Sequence, residues 1–195
     1  ELLKKSITLY YGVEPKNSPD YPRIINEKHF DRLVSLINKS QVVFGGDFNK
    51  NDKYISPTII DNVKSEDAIM QEEIFGPIIP ILEYTEISEV IDFINSRPKP
   101  LALYFFSKDK QMIKRVLKEV SFGGGTINDV IIHAGSKHLP FGGVGNSGMG
   151  SYHGKKSFDT FTHYKSIVKN IFFPDIKLRY PPYKNKLKIA KLFIK

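Results

Sequence analysis

The chain has 195 residues, 41% hydrophobic and 26% charged, a balance that suits a globular domain with a buried core and excludes a disordered tract. It contains no cysteine, which excludes disulfides, thiolate metal sites and thiol catalysis by these residues alone, and fits a cytosolic setting. The net charge is +8, yet seven of the basic residues fall between Ile176 and Lys195, where there is no acid; the body lacks the basic face that nucleic acid requires, and only the tail suggests an anionic surface.

No apolar run is long enough to cross a bilayer, and Glu1-Leu2-Leu3-Lys4-Lys5 is neither a signal peptide nor an initiator sequence. The expectation is a start in mid-protein. Leu2 to Tyr11 reads as a helix closed by Gly12. A connection with Pro15, Pro19 and Pro22 leads to a second helix, Asn26 to Ser40, with Asn26 as cap and Phe30, Leu33, Val34 and Ile37 at helical spacing. Gln41 to Phe44 is a short strand, Gly45 to Lys53 a polar turn and Tyr54 to Val63 a second strand. Ile78 to Tyr84 is a third, followed by a helix Glu86 to Asn95 that Thr85 caps. Leu101 to Ser107 is a strongly apolar strand and Asp109 to Val120 a helix. Strands alternating with helices of this length predict an α/β fold with a largely parallel sheet and flanking helices.

After Phe122 the glycines crowd, ten of them from Gly123 to Gly154, as in loops built for close approach rather than for core. From Phe158 the sequence alternates with period two as far as Val168 and reads as a strand, and Pro174, Pro181 and Pro182 divide the tail. Within that tail, Leu187, Ala190, Phe193 and Ile194 fall near one helical face among lysines, an amphipathic cationic segment.

Gly143 to Gly148 spells G-x-G-x-x-G, but the buried strand before it and the helix after it, which pyrophosphate binding needs, are both missing from the pattern. Gly154-Lys155-Lys156-Ser157 fails as a phosphate loop because its first glycine position holds Met149 and Lys156 precedes the serine. The five histidines, His29, His133, His138, His153 and His163, show no metal-ligand spacing, so no metal site is expected and each is read as a surface or core-edge residue. Asn38-Lys39-Ser40 matches a glycosylation sequon by letters alone. Gln71-Glu72-Glu73-Ile74-Phe75-Gly76-Pro77 carries more. Its plain reading is a turn before the next strand. Its functional reading is an acid placed for sugar hydroxyls beside an aromatic that can abut a flat ring.

That segment resembles the E-x-F-G-P signature of the aldehyde dehydrogenase family. Arg23-Ile24-Ile25-Asn26, Tyr54-Ile55-Ser56-Pro57-Thr58, Lys99 to Tyr104, Thr126-Ile127-Asn128-Asp129 and the long stretch Leu139 to Lys155 resemble the same family in the same order. Met149-Gly150-Ser151-Tyr152-His153-Gly154 and Leu178 to Pro182 are similar to its class 3, fatty-aldehyde branch.

The resemblance implies an oxidoreductase that converts medium- or long-chain aldehydes to acids with NAD or NADP, acting as a homodimer. It implies that Glu73 and Phe75 contact the nicotinamide ribose and ring side of the cofactor, with Glu73 also a candidate base for deacylation. It places Phe141 near cofactor and active site, Asn128 and Ile131 on the substrate side and His153 by the substrate entrance. It divides the chain into residues 1–157 of a catalytic α/β domain, a subunit-contact arm at 158–175 and a basic tail at 176–195. The tail segment 184–195 becomes a candidate for peripheral contact with an anionic membrane. The nucleophilic cysteine and the dinucleotide-binding portion are expected upstream of residue 1. The competing expectation is a non-catalytic interaction module that kept the fold.

Overall fold

A computed structural model describes residues 1–171, 179–183 and 186–193. The chain forms two compact units, Glu1–Arg97 and Pro98–Lys195.

The first unit is built around one helix. Asn26 opens α2 (Glu27–Ser35) by accepting the amide of His29 at 2.9 Å, which satisfies one of the donors a helix start leaves unpaired. The spacing of Phe30 and Leu33 then turns both into the core with Ile55, Ile60, Val63, Ile69 and Ile78. Burying such a side chain contributes roughly 1.5–3 kcal/mol, so this cluster dominates the unit. The helix stops at Ser35, short of the expected Ser40, because the Asn38 side chain accepts the Ser40 amide and starts a separate 3-10 turn.

Strand β1 (Val42–Phe44) pairs antiparallel with β4 (Thr58–Ile60), which pairs in parallel with β5 (Ile78–Pro80). A hairpin of β2 (Phe48–Asn49) and β3 (Tyr54–Ile55) lies between them in sequence. The single strand expected from Tyr54 to Val63 is therefore two. Pro57, which has no amide to donate, separates β3 from β4, and the chain leaves β4 before Asn62, whose φ is 54°. The Ser56-Pro57-Thr58 hydroxyls hold the hairpin entrance: Thr58 Oγ1 accepts the Gly46 amide and Ser56 Oγ accepts that of Asp47. Arg23 of the Arg-Ile-Ile-Asn motif donates to Asp52 and to the carbonyls of Tyr21 and Lys16, and stacks over Tyr54. Helix α1 (Leu2–Tyr11) ends at Gly12 as expected, and Tyr11 meets the edge of Tyr21. The Tyr21 hydroxyl donates to the carbonyl of Ile55 at 2.7 Å, and burial pushes that phenol well above its ordinary pKa. Helix α3 (Ile87–Asn95) closes the unit. Glu86, not Thr85, stands at its start; the Thr85 amide donates to Glu89 instead.

In the second unit β6 (Ala102–Phe105) pairs in parallel with β7 (Gly124–Ile127), and α4 (Lys110–Glu119) connects them, capped by Asp109 through the amides of Gln111 and Met112. Strand β7 corrects the expectation that the glycine-rich stretch is loop throughout. Here the glycines serve close packing: a Cβ on Gly125 would collide with the carbonyl oxygen of Leu103 in β6. Short helix α5 (Ile132–Gly135) follows, and α6 (Gly154–Thr160) begins beyond the glycine loop.

Helix α6 also corrects the strand expected from Phe158. Its last residues are helical, with Lys155 and Asp159 paired across one turn. Residues 162–171 form no ladder and leave Phe161, Tyr164, Ile167, Val168 and Ile171 exposed. The tail segment is helical as α7 over Leu187–Phe193, whereas Lys184, Ile194 and Lys195 lie outside the described residues. The α/β class stands, with parallel pairing, among the described residues, between β4 and β5 and between β6 and β7.

Gly125→Ala is expected to lower stability by about 1–3 kcal/mol through backbone collision. Gly135→Ala, where a Cβ meets nothing within 4 Å, is expected to stay within about 0.5 kcal/mol. Thermal melts of the two variants check this, and equal shifts would contradict the packing role of Gly125.

Candidate functional site

In the first unit the candidate residues sit on the turn Gln71–Pro77. Arg97 fastens the segment before it, donating to the carbonyls of Met70 and Ser65. Arg32, projecting from α2, fastens the turn itself, donating to Glu72 Oε1 at 3.0 Å, the Glu73 carbonyl at 3.3 Å and the Ile74 carbonyl at 2.6 Å. Glu73 and Phe75 are both exposed. Phe75 has φ 47°, a left-handed conformation that costs a non-glycine residue of order 1 kcal/mol or more, and its ring is 85% exposed. An ionisable acceptor and a flat apolar ring are thus both exposed, two residues apart, on a fastened loop. That pair can hydrogen-bond a sugar hydroxyl and cover a flat heterocycle.

In the second unit the candidates gather around an aromatic cluster. Phe141 and Tyr152 exchange both main-chain hydrogen bonds, at 2.9 and 3.0 Å, and so close the glycine loop between them. Within that loop Gly145–Ser147 forms a 3-10 turn. Phe141 stacks on His153 with centroids 6.0 Å apart, and Tyr152 meets the edge of His153 at 4.3 Å. His153 has φ 79° and donates its amide to Ser157 Oγ at 2.7 Å, which ties the cluster to α6. Ile131 stands at the start of α5 with φ 63°, its side chain exposed.

Asn128 is not a free group. Its side chain accepts the Ser107 amide at 2.8 Å and donates to the Ser107 carbonyl at 2.9 Å, pinning the end of β7 to the end of β6. Phe141 and His153 are therefore brought together, whereas Asn128 is engaged in its own loop. Among the described residues, no cluster of His, Asp or Glu could hold a metal ion.

Two residues were not legible as site elements. Arg32 carries no local signal of such a role, since its partners on the turn lie some forty residues on. His133 was expected at the surface or core edge, but it is 5% exposed, beneath Tyr104 and Phe141. Its Nδ1 lies 3.3 Å from Thr126 Oγ1, and its Nε2 is buried with no hydrogen-bond partner. The apolar run Val130-Ile131-Ile132 before it was the available signal for burial. His133 acts chiefly as a packing surface for Phe141. His133→Phe is expected to change stability by less than about 1 kcal/mol, since ring and volume remain. His133→Ala is expected to cost about 2 kcal/mol or more. Denaturant unfolding of both decides, and a larger loss for His133→Phe would assign the work to the imidazole nitrogens instead.

The profile of the "Aldehyde dehydrogenase family" matches residues 1–167. The chain is 51% identical over 189 residues to the "Aldehyde dehydrogenase, dimeric NADP-preferring" of Rattus norvegicus, covering 96% of this chain and 42% of that protein. It is 50% identical over 195 residues to "Aldehyde dehydrogenase family 3 member A2" of Mus musculus, covering 98% and 40%. The solved "Substrate bound state of Staphylococcus Aureus AldH" superposes with a TM-score of 0.89 at 53% identity, over 99% of this chain and 43% of that one. The chain thus spans about two fifths of the length of the relatives it matches.

Proposed function

The chain belongs to the aldehyde dehydrogenase family, and from that membership we propose that it forms the C-terminal portion of an enzyme oxidising medium- or long-chain fatty aldehydes to carboxylic acids with NAD+ or NADP+. The observation that carries this reading is the turn 71–77, which presents the Glu73 carboxylate and the Phe75 ring outward on a loop fastened by Arg32. An exposed acceptor two residues from an exposed flat ring fits the ribose and nicotinamide portions of such a cofactor. A bound NAD(P)+ supplies the acceptor for the hydride that leaves the aldehyde carbon.

The residues of this chain have supporting parts. Glu73 holds a ribose hydroxyl, or, as an ionised carboxylate, takes a proton from the water that releases the acid; both tasks need an acceptor within reach. Phe75 and Phe141 exclude water from the flat faces they cover. Ile131 and His153 line the approach of the aldehyde, and Asn128 fixes the loop beside it. The 195 residues hold no cysteine, so the nucleophile that splits the oxidation into two easier steps belongs to another part of the enzyme.

Assembly as a homodimer is part of the proposal. The rat relative is named as dimeric, and the exposed apolar residues of the 158–175 arm, among them Phe161, Ile167 and Val168, would be covered by a second copy. A cytoplasmic enzyme with peripheral membrane contact through 184–195 completes it. No helix among the described residues is long and apolar enough to cross a membrane. The exposed Leu187, Ile189 and Leu192 in α7 alternate with lysines, each of which adds roughly 1 kcal/mol at best near an anionic surface.

Glu73→Gln in the full-length enzyme is expected to lower kcat at least about tenfold with little change in melting temperature. Steady-state kinetics test this; wild-type kcat together with wild-type cofactor KM would remove Glu73 from the site. For the tail, co-sedimentation with phosphatidylserine vesicles is expected at low salt and to vanish at high salt or after deletion of 184–195. Binding that survives the deletion would leave the tail a solvated terminus.

A further inference from the structure

We infer that Arg32 is a positioning residue for cofactor binding, acting through the turn that carries Glu73 and Phe75. The inference rests on the cofactor reading of those two residues and goes beyond it by naming what sets their geometry.

Phe75 poses the physical question. Its φ of 47° is unfavourable for a side chain, and its ring is 85% exposed, so its own packing does not hold it there. The restraint comes from both sides along the chain. On the N-terminal side, the Ile74 carbonyl accepts Arg32 Nη2 at 2.6 Å and the Glu73 carbonyl accepts Nη1 at 3.3 Å. On the C-terminal side, Gly76 lies so close to α2 that a Cβ there would stand 2.6 Å from Leu33 Cδ2, and the Pro77 carbonyl accepts the Thr58 amide at 2.9 Å. Two adjacent residues of one helix, Arg32 and Leu33, therefore bracket the strained residue.

The helix is well founded for this task. Asn26 fixes its start, and Leu33 is 0% exposed in the core. The Arg32 side chain is partly covered and forms an ion pair with Glu72 at 3.0 Å. One planar guanidinium thus serves a carboxylate and two carbonyls at once. A lysine ammonium keeps the charge but lacks that fork, so it can retain the Glu72 pair while releasing the carbonyls. Arg32 reaches the cofactor surface through the turn, to which its side chain donates three hydrogen bonds. It determines where the Glu73 carboxylate and the Phe75 ring point, and so how well a preformed surface meets the cofactor.

The test compares Arg32→Lys, Arg32→Gln and Glu73→Gln in the full-length enzyme, with Arg115→Lys on α4 as a control. Four quantities are read: amide hydrogen exchange of residues 71–77, NADH dissociation constant by fluorescence titration, KM for cofactor and for aldehyde, and melting temperature. Arg32→Lys is expected to speed exchange in 71–77 and to raise both the NADH Kd and the cofactor KM about tenfold, leaving aldehyde KM within about twofold. If Arg32→Lys does not fold, Arg32→Gln is read in the same way. Faster exchange with an unchanged NADH Kd would make Arg32 merely structural and overturn the inference. Unchanged exchange would overturn it as well. If Glu73→Gln weakens NADH binding while Arg32→Lys does not, the cofactor reading stands and only the positioning role falls. If Glu73→Gln changes neither Kd nor kcat, the cofactor reading fails and the inference falls with it.

Discussion

The guanidinium of Arg32 gathers one carboxylate and two main-chain carbonyls of a single turn, and most of what the first unit presents depends on that gathering. A turn holding two adjacent acids, a positive-φ aromatic and a Gly-Pro stop has little reason to be rigid by itself. Its rigidity is borrowed from α2, whose own position comes from the Asn26 cap and from Phe30 and Leu33 in the core. Core burial, helix capping and a charged fork therefore act in series. Weakening any of them loosens the same two side chains, Glu73 and Phe75.

The second unit solves a related problem without a charged clamp. Parallel strands β6 and β7 pack closely because glycines in β7 leave room for the carbonyls opposite. The end of β7 is then locked by Asn128 against Ser107, so the chain enters α5 at a fixed point. Beyond it, Phe141 and Tyr152 clasp the glycine loop and stack or abut His153 over the buried ring of His133. Such aromatic contacts contribute about 0.5–1.5 kcal/mol each beyond their burial, enough to order a loop that has no regular ladder.

Local chemistry was legible in the sequence, and non-local pairing was not. Asn26, Asp109 and Gly12 were readable as helix boundaries because capping depends on neighbours within a few residues. The family motifs were readable because they are contiguous, and the match along residues 1–167 agrees with them. Strand β7 is hard to read because its first half is Gly-Gly, which is depleted in strands, and it pairs with β6 about twenty residues away. The strand expected from Phe158 does not begin there, for the opposite reason. Alternation suggested a ladder, but a ladder needs a partner edge, whereas the Lys155–Asp159 pair stabilises helix locally. Arg32 was invisible because its partners lie some forty residues away, at Glu72 to Ile74. His133 was misjudged because histidine by itself carries little burial signal.

The central claim is that the turn bracketed by Arg32 and Leu33 meets the ribose and nicotinamide of the cofactor. A crystal structure of the full-length enzyme with NAD(P)+ bound tests it most directly. Expected are a Glu73 carboxylate oxygen within hydrogen-bond distance of a ribose hydroxyl, the Phe75 ring against the nicotinamide side, and Arg32 still on the carbonyls of Glu73 and Ile74. A cofactor seated with its ribose away from Glu73, or a turn whose carbonyls have left Arg32 in the bound state, would contradict it.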